Sequence, residues 1–219
     1  MRTNGPLHAV RHELVARLAA LPVRTGDILY RASNAKGPFG LPFSRWLGRL
    51  TQSRFTHAAS VLVAQGQLSV MEISDNGTTQ SRLIDWLDTC YTPEVAVFRI
   101  KELTSAQEEA MKQAILAMLY KDADYDFTFS SDEKFYCTEA VFHVCRQAGV
   151  ELCEPQALTA IAPWWLRWLI AGWNATLGKW TGCRLPFDRK LYFVGNTRQG
   201  MMSSAYTECV FHYKDGQTF

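Results

Sequence analysis

At 219 residues, 47% hydrophobic and 20% charged, the chain has the makeup of an ordinary globular protein with enough apolar material for a sizeable core. Its 23 basic and 21 acidic residues are scattered and leave a net charge of +2, so no block of like charge offers the footprint of a nucleic-acid or polybasic membrane protein. The six cysteines, at positions 90, 137, 145, 153, 183 and 209, form no CxxC pair, which argues against paired-cysteine zinc and fits free thiols in a reducing compartment.

Residues 1–24 read as an amphipathic helix with Val10, Leu14, Leu18 and Leu21 on its apolar side. Glu13 and Arg17 interrupt any signal-peptide hydrophobic run, so the expected location is the cytoplasm, with signal-less export to a target cell's periplasm as the alternative. Thr25-Gly26-Asp27-Ile28-Leu29-Tyr30 reads as a turn feeding a strand, and a Gly/Pro-rich loop follows from Arg31 to Leu41. The apolar runs Thr56–Ala64 and Leu68–Ser74 flank Gln65-Gly66-Gln67, a hairpin signal. If Gln65-Gly66 is a two-residue loop, Ala64 pairs with Gln67, Ala59 with Glu72 and His57 with Ser74, which makes His57 and Glu72 diagonal neighbours on one face. A regular three-residue loop puts them on opposite faces.

Glu94–Ile100 alternates as a strand, and Thr104–Tyr120 is a predicted helix with Thr104 or Ser105 as cap and Gln107 or Glu108 closing a capping box. After a polar, aromatic loop over 121–134, Cys137, Val141, Val144, Cys145 and Ala148 fall on one face of a second helix that Gly149 stops. The stretch 161–173 holds four of the seven tryptophans; with Arg167 inside it, it is too short to span a membrane. It reads as a helix packed over the core or cleft, or as an interfacial helix touching lipid through Trp164, Trp165 and Trp168. LYFVGN and ECVFHYK within Lys190–Phe219 suggest further strands. Strands followed by helices, with few βαβ units, predict an α+β fold: a core over 25–154 and an extension over 155–219 packed on it.

Hydrolysis by a thiol needs a nucleophile, a base, a group that orients the base, and donors for the oxyanion. A thiol at a helix N-terminus is favoured as thiolate by the unpaired N–H groups and the helix dipole, which makes Cys137 the candidate nucleophile. His57 at a strand start is the candidate base, and Glu72, a carboxylate inside the apolar run Val70-Met71-Glu72-Ile73, is the candidate orienting residue. The backbone N–H of Cys137 and the hydroxyl of Tyr125 are the candidate oxyanion donors. Taken singly, His57 equally suits a satisfied strand histidine, and Glu72 points to solvent if the register slips by one. His8, His12, His143 and His212 are poorer bases by position. With no i,i+4 histidine pair and no HExxH pattern, neither a metal nor another cofactor is expected.

Thr25-Gly26-Asp27-Ile28, Phe55-Thr56-His57-Ala58, Glu72 after its apolar run, Tyr125-Asp126-Phe127-Thr128-Phe129-Ser130 and Tyr136-Cys137-Thr138-Glu139 together resemble the YiiX/YebB-like group of permuted papain-like amidases, relatives of the NlpC/P60 cysteine peptidases. The order His, Glu, Cys is the permuted one. The resemblance spans roughly residues 25–150. It implies a papain-like α+β core in which a Cys-bearing helix packs on an antiparallel sheet, with Cys137 as nucleophile, His57 as base, Glu72 as orienting residue, Tyr125 near the oxyanion and Asp27 close to the cleft. It also implies amide-bond cleavage in cell-wall peptides or amino-acid conjugates. The Trp-rich segment and the tail after Leu185 match nothing in that pattern. Other readings of the same residues are a lipid acyl amide or ester hydrolase at a membrane surface, an antibacterial effector with an immunity or delivery partner, and a binding module that keeps the fold without catalysis.

Overall fold

The computed structural model describes residues 13–32 (15 and 19 apart), 43–74, 77–88, 94–121, 135–161, 164–181, 190–214 and 217–218. Its strands are β1 (Ile28–Arg31), β2 (His57–Ala64), β3 (Gln67–Ser74), β4 (Gly77–Arg82), β5 (Glu94–Ile100), β6 (Gln156–Ala157), β7 (Lys190–Leu191), β8 (Thr207–Lys214) and β9 (Gln217–Thr218). Helical residues within 13–20 form α1, followed by α2 (Phe43–Leu50), α3 (Leu83–Asp88), α4 (Ser105–Lys121), α5 (Cys137–Gln147), α6 (Leu158–Ile161), α7 (Trp164–Ala175) and α8 (Leu177–Thr181). Seven strands build one antiparallel sheet in the order β4-β3-β2-β1-β5-β8-β9, while β6 and β7 pair separately. The architecture is α+β, as the strand and helix patterns predict.

Side chains alternate between two cores because strand residues point to opposite faces in turn. Tyr30, Ala58, Leu62, Met71 and Phe98 face Met111 and Ile115 of α4 and Val141 and Val144 of α5. Leu29, Ala59, Val61, Val70, Val97 and Phe211 face Leu14 and Leu18 of α1 and Leu83, Trp86 and Leu87 of α3. With both faces covered, β1 is buried along its whole length. The box that starts α4 closes as expected, with Gln107 N–H on Thr104 Oγ1 (3.3 Å) and Thr104 N–H on Gln107 Oε1 (3.1 Å).

The β2–β3 hairpin turns through Gln65 (φ 52°) and Gly66 (φ 75°), a two-residue loop of left-handed residues that sets the pairing Ala64↔Gln67 through Ser60↔Met71. A Cβ on Gly66 would meet no atom within 4 Å, so Gly66→Ala carries backbone strain alone. The expected cost is about 1–2 kcal/mol, read as a melting temperature lower by a few degrees. An unchanged melting temperature contradicts the left-handed turn.

Four features depart from the sequence reading. Arg31 completes β1 instead of opening the loop after it. The β4 and α3 elements follow β3, and the polar, half-exposed β4 (GTTQSR) carries no apolar period to announce it. Within the extension, β8 pairs with β5 inside the main sheet, so the sheet is not complete at residue 154. Of LYFVGN, only Leu191 lies in a strand.

Candidate active site

His57 opens β2 opposite Arg31 of β1. Carrying the β2–β3 pairing on from Ser60↔Met71 sets Ala59 against Glu72, so His57 and Glu72 lie diagonally on the face that α3 covers. His57 Nε2 stands 2.5 Å from Glu72 Oε2. The same carboxylate oxygen accepts from the Trp86 indole N–H (2.8 Å) and from Arg31 Nη2 (3.1 Å). Arg31 also donates to the Trp86 carbonyl, and its guanidinium carbon lies 4.1 Å from the centre of the Trp86 ring. All four residues are buried, and a buried charge is tolerable there because each has a partner.

Cys137 is the first residue of α5, which covers the opposite face of the sheet. Tyr136 before it is extended (φ −103°, ψ 164°) and gives no side-chain cap, so the first-turn N–H groups are free of the usual capping oxygen. The start of α5 and the start of β2 meet at the strand end. There His57 and the backbone N–H groups of Ala58 and Thr138 come near enough to the Cys137 thiol to act on its ionisation. Because Nε2 is engaged by Glu72, Nδ1 is the ring nitrogen left for the sulfur. The residues on either side of the thiol are pinned from far along the chain. Tyr192 N–H donates to Tyr136 Oη (2.6 Å), Thr138 Oγ1 donates to Tyr192 O (2.8 Å), and the Tyr192 ring stacks on Phe142 at 3.7 Å.

Burial disfavours charge on every member of this chain of contacts, and each charge is restored by its neighbour. For Cys137, burial raises the thiol pKa, but the imidazolium and the bonds from His57, Ala58 and Thr138 outweigh it and bring the pKa below the ordinary thiol value. For His57, burial lowers the pKa, and the Cys137 thiolate and Glu72 reverse that and push it up to about 9. Glu72 is held below the carboxylate norm against its burial by His57, Arg31 and Trp86. The directions of these three shifts favour a thiolate–imidazolium pair backed by a carboxylate. The other described cysteines go the opposite way: burial raises Cys145 and Cys209, and pushes Cys153 up to about 11.

Cys137, His57 and Glu72 are therefore brought together, while Asp27 is not with them. Asp27 precedes β1, whose far end carries Arg31, about 13 Å along an extended strand. Its buried carboxylate accepts from Arg99 Nε (3.0 Å), Arg99 Nη2 (2.7 Å) and the Arg24 N–H (3.1 Å), so it anchors a turn and a strand instead of the cleft. Tyr125, His8 and His12 lie outside the described residues. His212 pairs with Glu94 (2.7 Å) on β5. Arg31 and Trp86 escape the sequence reading, although an arginine closing the apolar run Ile28-Leu29-Tyr30 was a signal for an inward charge that needs a partner.

No family model matches the chain, and no curated protein matches it. Among solved structures, it is similar to the crystal structure of the metalloprotein yiiX from Escherichia coli O157:H7, at 22% sequence identity and a TM-score of 0.68, over 87% of this chain and 97% of that one. At that identity, what the two chains share is the fold.

Proposed function

We propose that the protein is a thiol-dependent hydrolase of the permuted papain-like, NlpC/P60-related type, cleaving an amide bond through an acyl thioester on Cys137. The observation that carries this reading is a helix-start Cys137 thiol beside His57, each acting on the other's ionisation, with the imidazole Nε2 held 2.5 Å from a buried Glu72 carboxylate. The sequence motifs around Asp27, His57, Glu72 and Cys137 and the shared fold of yiiX support it. The catalytic unit would be residues 25–154 completed by β8.

In this reading the thiolate attacks the substrate carbonyl carbon, and the first-turn N–H of Cys137 faces the developing oxyanion. The C–N bond breaks as the His57 imidazolium gives its proton to the leaving nitrogen. Water, losing a proton to His57, then attacks the thioester carbon, and the C–S bond breaks to return the thiolate. Glu72 keeps the ring in one orientation through both steps.

The name metalloprotein for yiiX raises a metal as the alternative use of these side chains. They do not fit one. The imidazole stands between thiol and carboxylate, so the three groups form a line instead of converging on a point, and among the described residues no group of three His, Cys, Asp or Glu could hold an ion.

The test is incubation with peptidoglycan fragments and with N-acyl lipid amides, read by mass spectrometry. Wild type is expected to release a free acid and an amine from one class, and Cys137→Ala to release none. The rate should rise as Cys137 ionises and fall as the pH passes about 9, where His57 loses the proton it must deliver. Equal product from Cys137→Ala contradicts the proposal.

A further inference from the structure

Within the extension, Trp164, Trp168 and Trp180 are exposed, and it is the segment 190–202 that reaches the helix bearing the thiol. The segment is rooted by β7, whose Leu191 pairs with Gln156 of β6. It closes on itself through Met201 N–H on Phe193 O (3.0 Å) and, beside that, Met202 N–H on Val194 O (3.0 Å). Its turn is tight. A Cβ on Gly195 would stand 1.9 Å from Gln199 O and one on Gly200 2.7 Å from Phe193 O, and both glycines have positive φ, so a side chain is excluded at either place. Val194 and Met201 are buried in the core that α5 shares with the sheet.

This segment grips both sides of the thiol and imidazole. On the Cys137 side, the Tyr192 backbone donates to Tyr136 Oη and accepts from Thr138 Oγ1, so the residues before and after the thiol are tied to one residue. The stack of the Tyr192 ring on Phe142, one turn beyond Thr138, adds a third point on α5. On the His57 side, Asn196 Nδ2 donates to Gln52 O (3.2 Å). Asn196 Oδ1 accepts the Arg198 N–H (2.8 Å), which orients the amide so that its NH2 faces Gln52. From a left-handed Gln52 (φ 51°) the chain reaches His57 through two more bonds, Phe55 N–H on Ser53 Oγ (3.1 Å) and Thr56 N–H on Arg31 O (3.1 Å).

We propose that residues 190–202 are a brace that sets the Cys137 thiol against His57, with Tyr192 and Asn196 as its positioning residues. The inference rests on that pair being the hydrolytic centre. The thiol belongs to a helix layer and the imidazole to the sheet, so a bridge between the two at this end holds their separation. Proton transfer is sensitive to it, since about 1 Å of misplacement costs on the order of 10²-fold. The bond from Thr138 Oγ1 to Tyr192 also fixes the residue whose N–H favours the thiolate. Tyr192 and Asn196 act through the residues they hold.

The test is the rate of Cys137 alkylation by iodoacetamide between about pH 6 and pH 8, in the full chain. Tyr136→Phe with Thr138→Val removes both bonds to Tyr192 and keeps the side-chain shapes. Its rate at pH 6 is expected to fall about tenfold below wild type and to climb with pH, where wild type is nearly flat. Asn196→Asp keeps the Arg198 bond but sets an oxygen against Gln52 O, and its rate at pH 6 should fall at least about threefold. Thr138→Ser, which retains the hydroxyl, should stay within about twofold of wild type, as should Gly66→Ala, which costs stability at the far end of β2. A wild-type rate that climbs in parallel with Cys153 and Cys209 overturns the hydrolase reading and the brace together. A flat wild type matched by the double variant or by Asn196→Asp overturns the brace alone. So does a steep profile in Thr138→Ser or Gly66→Ala, because a general loss of stability then suffices.

Discussion

Asparagine in place of His57 is expected to slow alkylation of Cys137 by iodoacetamide about tenfold near pH 7. Without the imidazolium, only the Ala58 and Thr138 N–H groups oppose burial, and the thiol returns towards its ordinary pKa of about 8.5, where roughly 3% is thiolate at neutral pH. That alone is a loss of up to about thirtyfold, and the greater intrinsic nucleophilicity of a more basic thiolate returns part of it. Hydrolysis should fall further, by about 10²–10⁴, because both proton transfers are lost as well. The fold should survive, since Glu72 keeps Arg31 and Trp86 as partners. His57's own share of the stability, from a folded pKa of about 9 against an unfolded value near 6.5, is fully present below pH 6.5 and lost as the pH rises through about 9, while the lowered pKa of Cys137 contributes the opposite dependence and offsets it between these values. An alkylation rate of the asparagine variant equal to wild type contradicts the ion pair.

Arg31→Met should destabilise the protein by about 3 kcal/mol, lowering the melting temperature by roughly 6–12 °C. The methionine fills most of the arginine stem's space but leaves Glu72 buried with a hydrogen-bonded imidazole and indole and no permanent cation. The Trp86 ring also loses the guanidinium 4.1 Å from its centre, and the Trp86 carbonyl loses its donor. Paired removal separates the charge effect from packing. Arg31→Met with Glu72→Gln should recover a good part of the loss, because no isolated carboxylate remains, whereas additive losses contradict the buried pair. Arg31 acts through Glu72, so the variant should move the pH profile of Cys137 alkylation as well as the melting point.

Much of this site was legible because it rests on local rules. Gln65-Gly66 between two apolar runs determines a register, and the register puts His57 and Glu72 on one face. Helical spacing from Cys137 to Ala148 places the thiol at a helix start. What escaped depends on long-range pairing. Nothing near Asp27 announces Arg99, which lies 72 positions away and takes its carboxylate out of the cleft. Nothing near Cys137 announces Tyr192, which pins both of its neighbours. The placement of β8 beside β5, across more than 100 residues, likewise follows from which sheet edge is open and not from the pattern of either strand. The β4 strand was hidden for a different reason: half-exposed edge strands have no apolar face to bury and so no alternation to read.

The proposed chemistry requires Cys137 to rest as a thiolate paired with His57, and the pH dependence of its alkylation measures that directly. Rates are followed residue by residue, by mass spectrometry of peptides from the intact protein, between about pH 6 and pH 8. An ion pair predicts a Cys137 rate that is nearly flat across this range, since the thiolate is already formed, while Cys153 and Cys209 climb about tenfold per pH unit, as thiols far below their pKa must. A Cys137 rate that climbs in parallel with theirs would contradict it.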